Sequence, residues 1–282
     1  MASVSELRPS PIAGTWYSNN PERLRREVEG FIEAAKLPVL GGEVVGIIAP
    51  HAGYRYSGRT AGYAFGAIRG LQPDVVVVVS PMHAYATTPV MTSAHRAYST
   101  PLGSVEIDQK SLAALEPALK EMGGQKITAV ANDHEHSLEI ELPFLQCALQ
   151  NDFNLLPLML QSHDSQVGQI LGRALAVVLK GRSALLVAST DLSHFYPKSE
   201  AEKLDREMLR QIADFNPEGI LRAESMGTGF ACGALPVAAV LWAAKKMGGT
   251  TVKVLYQSTS AEETGDTSSV VGYAAAAILK NA

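Results

Sequence analysis

Residues 44–58 read VVGIIAPHAGYRYSG. Val44 to Ala49 is an apolar run rich in β-branched residues, the composition of a buried strand. Pro50 ends it and His51 follows at once. Gly53 and Gly58 then bracket a short Tyr/Arg segment ahead of an Ala-rich helical stretch. A histidine just past a buried strand, in a glycine-punctuated loop, stands where open α/β sheets keep their ligands, outside the carboxyl ends of the strands. The same placement recurs at VVVVVSPMH (75–83) and ALLVASTDLSH (184–194). Taken singly, His51, His83 and His194 each read as an ordinary loop histidine. Repetition changes the reading, because parallel strands bring their carboxyl ends to one edge of a sheet, where distant loops converge.

Outward from this stretch, Asn20-Pro21 opens a helix, with Asn as the cap, Pro in the first turn, and Leu24, Val28, Phe31 and Ile32 at helical spacing. A second helix is predicted over 58–70. The valines 75–79 form a run that suits a central strand buried on both faces of a mainly parallel sheet. Residues 87–107 predict a hairpin-like excursion at the sheet edge. Asp108 is expected to cap a helix to about Met122, and KITAV (126–130) reads as a short strand. Ser137 is expected to cap a helix to about Gln150, kinked at Pro143. Strands follow at 154–160, 184–190 and 251–260, and helices at 165–180, 198–214, from Asn216-Pro217, and after the glycine-rich GTGFACGALP (227–236). Residues 268–280 end the chain with small apolar residues and no assigned element. This alternation predicts an α/β fold: a single three-layer domain over 1–282, with a central, mostly parallel or mixed sheet and helices on both faces.

The chain has 282 residues, 46% hydrophobic and 18% charged, enough for a sizeable core. A net charge of −4, with no Lys/Arg run beyond short pairs, argues against a nucleic-acid partner. No apolar run approaches the roughly 20 residues of a membrane span. The start, MASVSELRPSP, has no apolar signal region, so a cytoplasmic protein is expected. Cys147 and Cys232 make no disulfide framework, and Cys147 reads as a buried thiol.

Neutral imidazole is the commonest metal ligand and a good acid or base near neutral pH. Asp191, in STDLSH, is placed to orient an imidazole or bind metal, or to serve as a turn residue. Cys232 lies among Gly227, Gly229 and Gly233, which let backbone approach a ligand closely. It reads as a metal ligand, a nucleophile, or a buried thiol beside a packed helix. DHEHSLE (133–139) is metal-like in composition but is not HExxH, since His134 and His136 would diverge on a helix. Capping and support from outside the ligand set are expected there, with Glu139 one turn from His136 and holding it. His95 and His163 read as surface residues. There is no GxxxxGK[ST] and no GxSxG.

AGTWY (13–17), IIAPHAGYRYSG (47–58), SPMH (80–83), TPLG (100–103) with EID (106–108), DHEHSLEIELPF (133–144), STDLSH (189–194), ACGALP (231–236) and DTSSVVGYAA (266–275) occur in that order. Together they resemble the MEMO family, called Memo in eukaryotes and AmmeMemoRadiSam system protein B in prokaryotes. The resemblance implies a fold similar to class III (LigB-type) extradiol dioxygenases, which hold non-haem Fe(II) with two His and one carboxylate. It implies His51, His83 and Cys232 as metal ligands and His194 as acid–base residue with Asp191 beside it. Thiolate in place of carboxylate is a softer ligand, so Cu or Zn stands beside Fe(II) as the cofactor. The leading expectation is an Fe(II)-dependent oxidoreductase acting on an aromatic diol or related small molecule. The alternatives are a non-enzymatic metal-binding adaptor, and a zinc or thiolate hydrolase with Cys232 as nucleophile and His194 as base. The resemblance also implies an AMMECR1-type protein and a radical SAM protein as partners.

Overall fold

In the computed structural model, which describes residues 5–281, the valines of 75–79 send their side chains alternately to the two faces of one sheet. Val75, Val77 and Val79 join one apolar cluster, and Val76 and Val78 the other. The period-2 geometry of a strand requires this split. Both faces are covered, which is why the run carries no polar residue.

The elements in chain order are β1 (Leu7–Arg8), α1 (Pro21–Ala34), β2 (Glu43–Ala49), α2 (Tyr54–Gly66), β3 (Val75–Pro81), β4 (Val90–Ser93), β5 (Ala97–Thr100), β6 (Gly103–Glu106), α3 (Gln109–Glu121), β7 (Thr128–Val130), α4 (Leu142–Ala148), β8 (Asn154–Leu160), α5 (Ser165–Val178), β9 (Ala184–Ser189), β10 (His194–Tyr196), α6 (Lys198–Ala213), α7 (Pro217–Ser225), α8 (Ala234–Lys246), β11 (Thr251–Thr259), α9 (Ala261–Thr264) and β12 (Val270–Lys280). The main sheet runs β10-β12-β2-β9-β3-β8-β4-β7, with β11 also paired to β12. Its centre, β2-β9-β3-β8, is parallel. β12 is antiparallel to β2, and β4 antiparallel to β8, so the sheet is mixed. Apolar residues of α1, α2 and α4, among them Leu24, Val28, Phe65 and Phe144, cover one face. Leu115 of α3, Leu171 of α5, Met208 of α6, Ile220 of α7 and Val240 of α8 cover the other. No helix of the described residues is long and apolar enough to cross a membrane.

Several expectations give way. The second helix begins at Tyr54, only three residues after His51, and ends at Gly66. Ser137 does not cap a helix: its hydroxyl donates to the Pro81 carbonyl at 2.8 Å. A 3-10 turn, Glu139–Glu141, leads into α4, where Pro143 sits in the first turn and needs no kink. In the 87–107 excursion, β4 joins the main sheet, while β5 and β6 form a hairpin in a separate three-stranded sheet with β1. His95 is buried, its Nδ1 2.7 Å from the Ser5 carbonyl, whereas His163 is exposed. Residues 270–280 form the long strand β12 between β2 and β11, and β12 is buried along nearly all its length.

Candidate metal centre

Because β2, β9 and β3 are adjacent and parallel, their carboxyl ends deliver His51, Asp191 and His83 to one place. His194 opens β10, where the pairing with β12 is irregular. Beside it, Phe195 holds φ +64°, an uncommon value for an aromatic residue and a local strain at the site's rim.

His51 is fully buried at 1% exposure. Its backbone N–H donates to Asp191 Oδ1 at 2.8 Å, and its Nδ1 lies 2.9 Å from Ser189 Oγ. Nε2 faces the site, 3.1 Å from Cys232 Sγ. Burial, with the neighbouring His136 and His83, lowers its pKa well below the usual histidine value, so the ring is neutral.

His83 is held by Glu135. The backbone N–H of His83 donates to Oε2 at 2.6 Å, and Nδ1 lies 2.9 Å from Oε1. The N–H groups of His136 and Ser137 also donate to Glu135 Oε1. Burial alone would raise the Glu135 pKa, but the bonds from His83 and these N–H groups hold it far below the usual carboxylate range. Burial opposes protonation of His83, and the bond and charge of Glu135 outweigh it, so the His83 pKa is raised. With Nδ1–H donated to a carboxylate, Nε2 is left as the ligating atom.

The third imidazole is that of His136. Ring nitrogens of His51, His83 and His136 lie within 4.8 Å of one another. The ring centroids are 5.3, 5.5 and 4.7 Å apart. Imidazoles sharing one ion through bonds of about 2.1 Å have centroids about 4.6–5.3 Å apart, for angles between octahedral and tetrahedral. Two of the three separations fall within this range and the His51–His136 pair lies 0.2 Å beyond it, so a small inward shift of one ring would let all three share a first-row divalent metal. Burial lowers the His136 pKa to about 4, so it too is in the ligating, neutral form.

Two residues stand differently from their expected places. His136 is expected outside the ligand set on the premise of a helix, yet residues 133–136 are irregular, His134 is exposed and Asp133 pairs with Arg8. Cys232 touches the cluster through His51 and is not one of the three clustered groups. Burial, then the charge of Asp191, pushes its thiol pKa well up, so it is protonated. Gly233 beside it is required: a Cβ there would run into the Ser189 carbonyl and Thr190. Glu139 does not hold His136. It accepts from Arg8 Nη1 at 2.5 Å and Tyr17 OH at 2.7 Å. Arg8, 1% exposed, also pairs with Asp133 at 2.7 Å and donates to the Glu135 carbonyl at 2.8 Å. This network straps the 133–139 loop, and hence His136, to β1.

His194 donates Nδ1–H to the Leu192 carbonyl at 2.8 Å, which leaves Nε2 as an acceptor. Burial lowers its pKa, so it is a neutral base. Burial raises Asp191 to about 7, offset in part by the N–H groups of His51 and Ala52. The four imidazoles of His51, His83, His136 and His194 and the Asp191 carboxyl line a cavity of about 620 Å³, with Trp16, Tyr56, Phe195 and Tyr273 around it. Ser189 and Glu141 are parts of the site that sequence reasoning missed, and Glu135 supplies the support expected of the 133–139 segment, though to His83. Their partners are 48 to 138 positions away, and only the sheet order brings them together.

Curated relatives include MEMO1 family proteins of Methanopyrus kandleri (34% identical; 95% of this chain, 97% of the relative) and Methanothermobacter thermautotrophicus (34%; 95% and 99%). That of Methanococcoides burtonii is 35% identical over 95% of this chain and 98% of its own. Among solved structures, an uncharacterized protein of Escherichia coli K12 is more distant, at 16% identity and a TM-score of 0.47 over 83% of this chain and 99% of that one. The model of the Memo-like protein family matches residues 8–277, nearly the whole sequence, and with these relatives it shows that the chain belongs to that family.

Proposed function

We propose that the chain is a non-haem metal-dependent oxidoreductase of the extradiol-dioxygenase type, using Fe(II) to act on an aromatic diol or a related small molecule. One observation carries the reading: three imidazoles whose nitrogens lie within 4.8 Å of one another open onto a cavity of about 620 Å³ beside a fourth, free imidazole. His51, His83 and His136 would hold the ion. Bound Fe(II) supplies Lewis acidity and an electron source for dioxygen chemistry. Glu135 and Ser189 fix the ring orientations of His83 and His51. His194 Nε2 takes a proton from a substrate hydroxyl and returns it later, since its Nδ1–H is committed to Leu192. Asp191, near its midpoint at neutral pH, is a second proton store against His51. Trp16, Tyr56 and Phe195 line the cavity, and their aromatic surface suits an aromatic guest.

The test is anaerobic calorimetric titration of the reduced apo protein with Fe(II), then O2 uptake with a panel of catechols. One tight site and uptake with at least one diol are expected. A filled iron site that consumes no O2 with any diol would sink the enzymatic reading. A second reading, metal handling without turnover, is favoured by the buried thiol of Cys232 3.1 Å from His51 Nε2, a soft donor suited to Cu(I). Stronger binding of Cu(I) than Fe(II), with no O2 uptake, would decide for it. The same burial leaves Cys232 protonated and poorly suited to serve as a hydrolase nucleophile.

A further inference from the structure

Ser189, the last residue of β9, is fully buried, and its hydroxyl oxygen has three close partners. The Ser137 carbonyl lies at 2.7 Å, Glu141 Oε1 at 2.6 Å and His51 Nδ1 at 2.9 Å. A hydroxyl offers one proton and two lone pairs. The Ser137 carbonyl can only accept, so it takes the single proton. Glu141 and His51 must then both donate to Ser189.

We propose that Glu141 is a resident neutral carboxylic acid which, through Ser189, locks His51 with its proton on Nδ1 and its Nε2 lone pair turned to the metal centre. An ionised Glu141 would set its carboxylate and the Ser137 carbonyl against each other for one proton, leaving a bare oxygen–oxygen contact in a buried site. Burial points the same way. Glu141 is 1% exposed, and its pKa is pushed well up by burial and by the neighbouring Asp191 charge against the bond to Ser189. The contrast with Glu135 is instructive. Glu135 receives three backbone N–H groups as well as the His83 ring and stays ionised, whereas Glu141 meets one hydroxyl. Two buried carboxyls thus support two imidazoles in opposite charge states. Ser189 and Glu141 touch no substrate and act as positioning residues.

The metal half of this inference rests on the proposed function; the tautomer half does not. In metal-free protein labelled with 15N-histidine, NMR is expected to find His51 protonated on Nδ1 and bare on Nε2. Glu141→Gln keeps an N–H donor toward Ser189, so it should retain that tautomer and the wild-type affinity for Zn(II). Ser189→Ala should give mixed tautomers and weaken Zn(II) binding about 10- to 100-fold. The infrared difference between wild type and Glu141→Gln at neutral pH should contain a carboxylic-acid C=O band. Absence of that band, or a Glu141→Gln variant that behaves like Ser189→Ala, overturns the neutral-acid assignment. A wild-type His51 protonated on Nε2 overturns the lock. Wild-type protein that binds no Zn(II) yet has the expected tautomer and band upholds the lock and removes only the metal reading.

Discussion

Arg8 is the residue whose loss should show most about this site while lying outside it. Its guanidinium is buried at 1% exposure and meets Asp133 at 2.7 and 3.1 Å, Glu139 at 2.5 Å and the Glu135 carbonyl at 2.8 Å. Arg8→Met keeps most of the side-chain volume and removes every one of these donors. Two carboxylates are then buried without their cation, for which about 3–5 kcal/mol is expected. That is a large part of a typical folding stability of about 5–15 kcal/mol. The loss should depend on pH. Burial already raises the Glu139 pKa, even with Arg8 in place, and removing the cation raises it further. A carboxyl whose folded pKa is raised destabilises the fold increasingly as pH climbs from its unfolded value, about 4.3, through the folded one. The deficit of Arg8→Met should therefore be largest at neutral pH and shrink as the solution is acidified and the carboxyls protonate. Urea denaturation of both proteins at about pH 7.5 and about pH 5 measures this directly. Adding Glu139→Gln removes one orphaned charge and should recover part of the loss at the higher pH. A deficit under about 1 kcal/mol, or one equal at both pH values, would refute the account of Arg8 as the buried strap.

Four further outcomes are expected. His194→Ala should keep Fe(II) binding and lose O2 turnover, whereas His51→Ala should lose both; calorimetry and an oxygen electrode separate them, and metal retention in His51→Ala would remove it from the ligand set. Proton release on Fe(II) binding, measured by calorimetry in buffers of different ionisation enthalpy, should be the same in Cys232→Ser as in wild type, since His136 is neutral before binding and Cys232 is a thiol; one proton fewer in the variant would make Cys232 the third ligand. Gly233→Ala should cost about 1–3 kcal/mol in thermal or urea unfolding, because its Cβ has nowhere to go against the Ser189 carbonyl. Phe195→Gly should relieve the φ of +64° and raise stability by about 1 kcal/mol while weakening binding of a catechol probe at the rim; a destabilised variant would show that Phe195 is not strained.

What the sequence disclosed was whatever depends on local order. The apolar runs ending at Ala49, Pro81 and Ser189 announce parallel strands, and His51, His83 and Asp191 follow from chain direction alone, since strands that run together end together. The helix opened by Asn20 was legible because its cap and proline act within four residues, and Asn20 does accept from the Arg23 N–H. β12 was not legible: YAAAAIL has helical composition, and its strand conformation is imposed by pairing to β2 on one side and β11 on the other. For a comparable reason, the clustering of His136 with His51 and His83 was not legible. Its exclusion assumed a helix, but Glu135, which collects N–H groups from His83, His136 and Ser137, stabilises an irregular turn in its place. The partner of Glu139 is illegible in local sequence, because Arg8 lies 131 positions away.

The site is built from parts of unequal stiffness. His51 and His83 each stand two residues past strands that are hydrogen-bonded within the sheet, so their Cα positions are set by the core. His136 belongs to no strand or helix, and its place depends on Glu135 below it and on the Arg8 strap behind it. A donor held by the sheet tolerates little movement, whereas one held by a buried ion-pair network moves when that network changes. Of the three imidazoles proposed to hold the ion, His136 is therefore the one most open to adjustment, and Cys232, with its Sγ 3.1 Å from His51 Nε2, is a donor at hand to replace it. Exchange of the two would convert the proposed all-nitrogen centre, suited to Fe(II) or Zn(II), into one with a thiolate that favours Cu(I). Since the thiol must first give up its proton against burial and the charge of Asp191, only a metal with a strong preference for sulfur offsets that cost. If the proposed centre holds a metal, the choice between oxygen chemistry and metal handling would rest on the loop that presents His136, and through it on a single buried arginine.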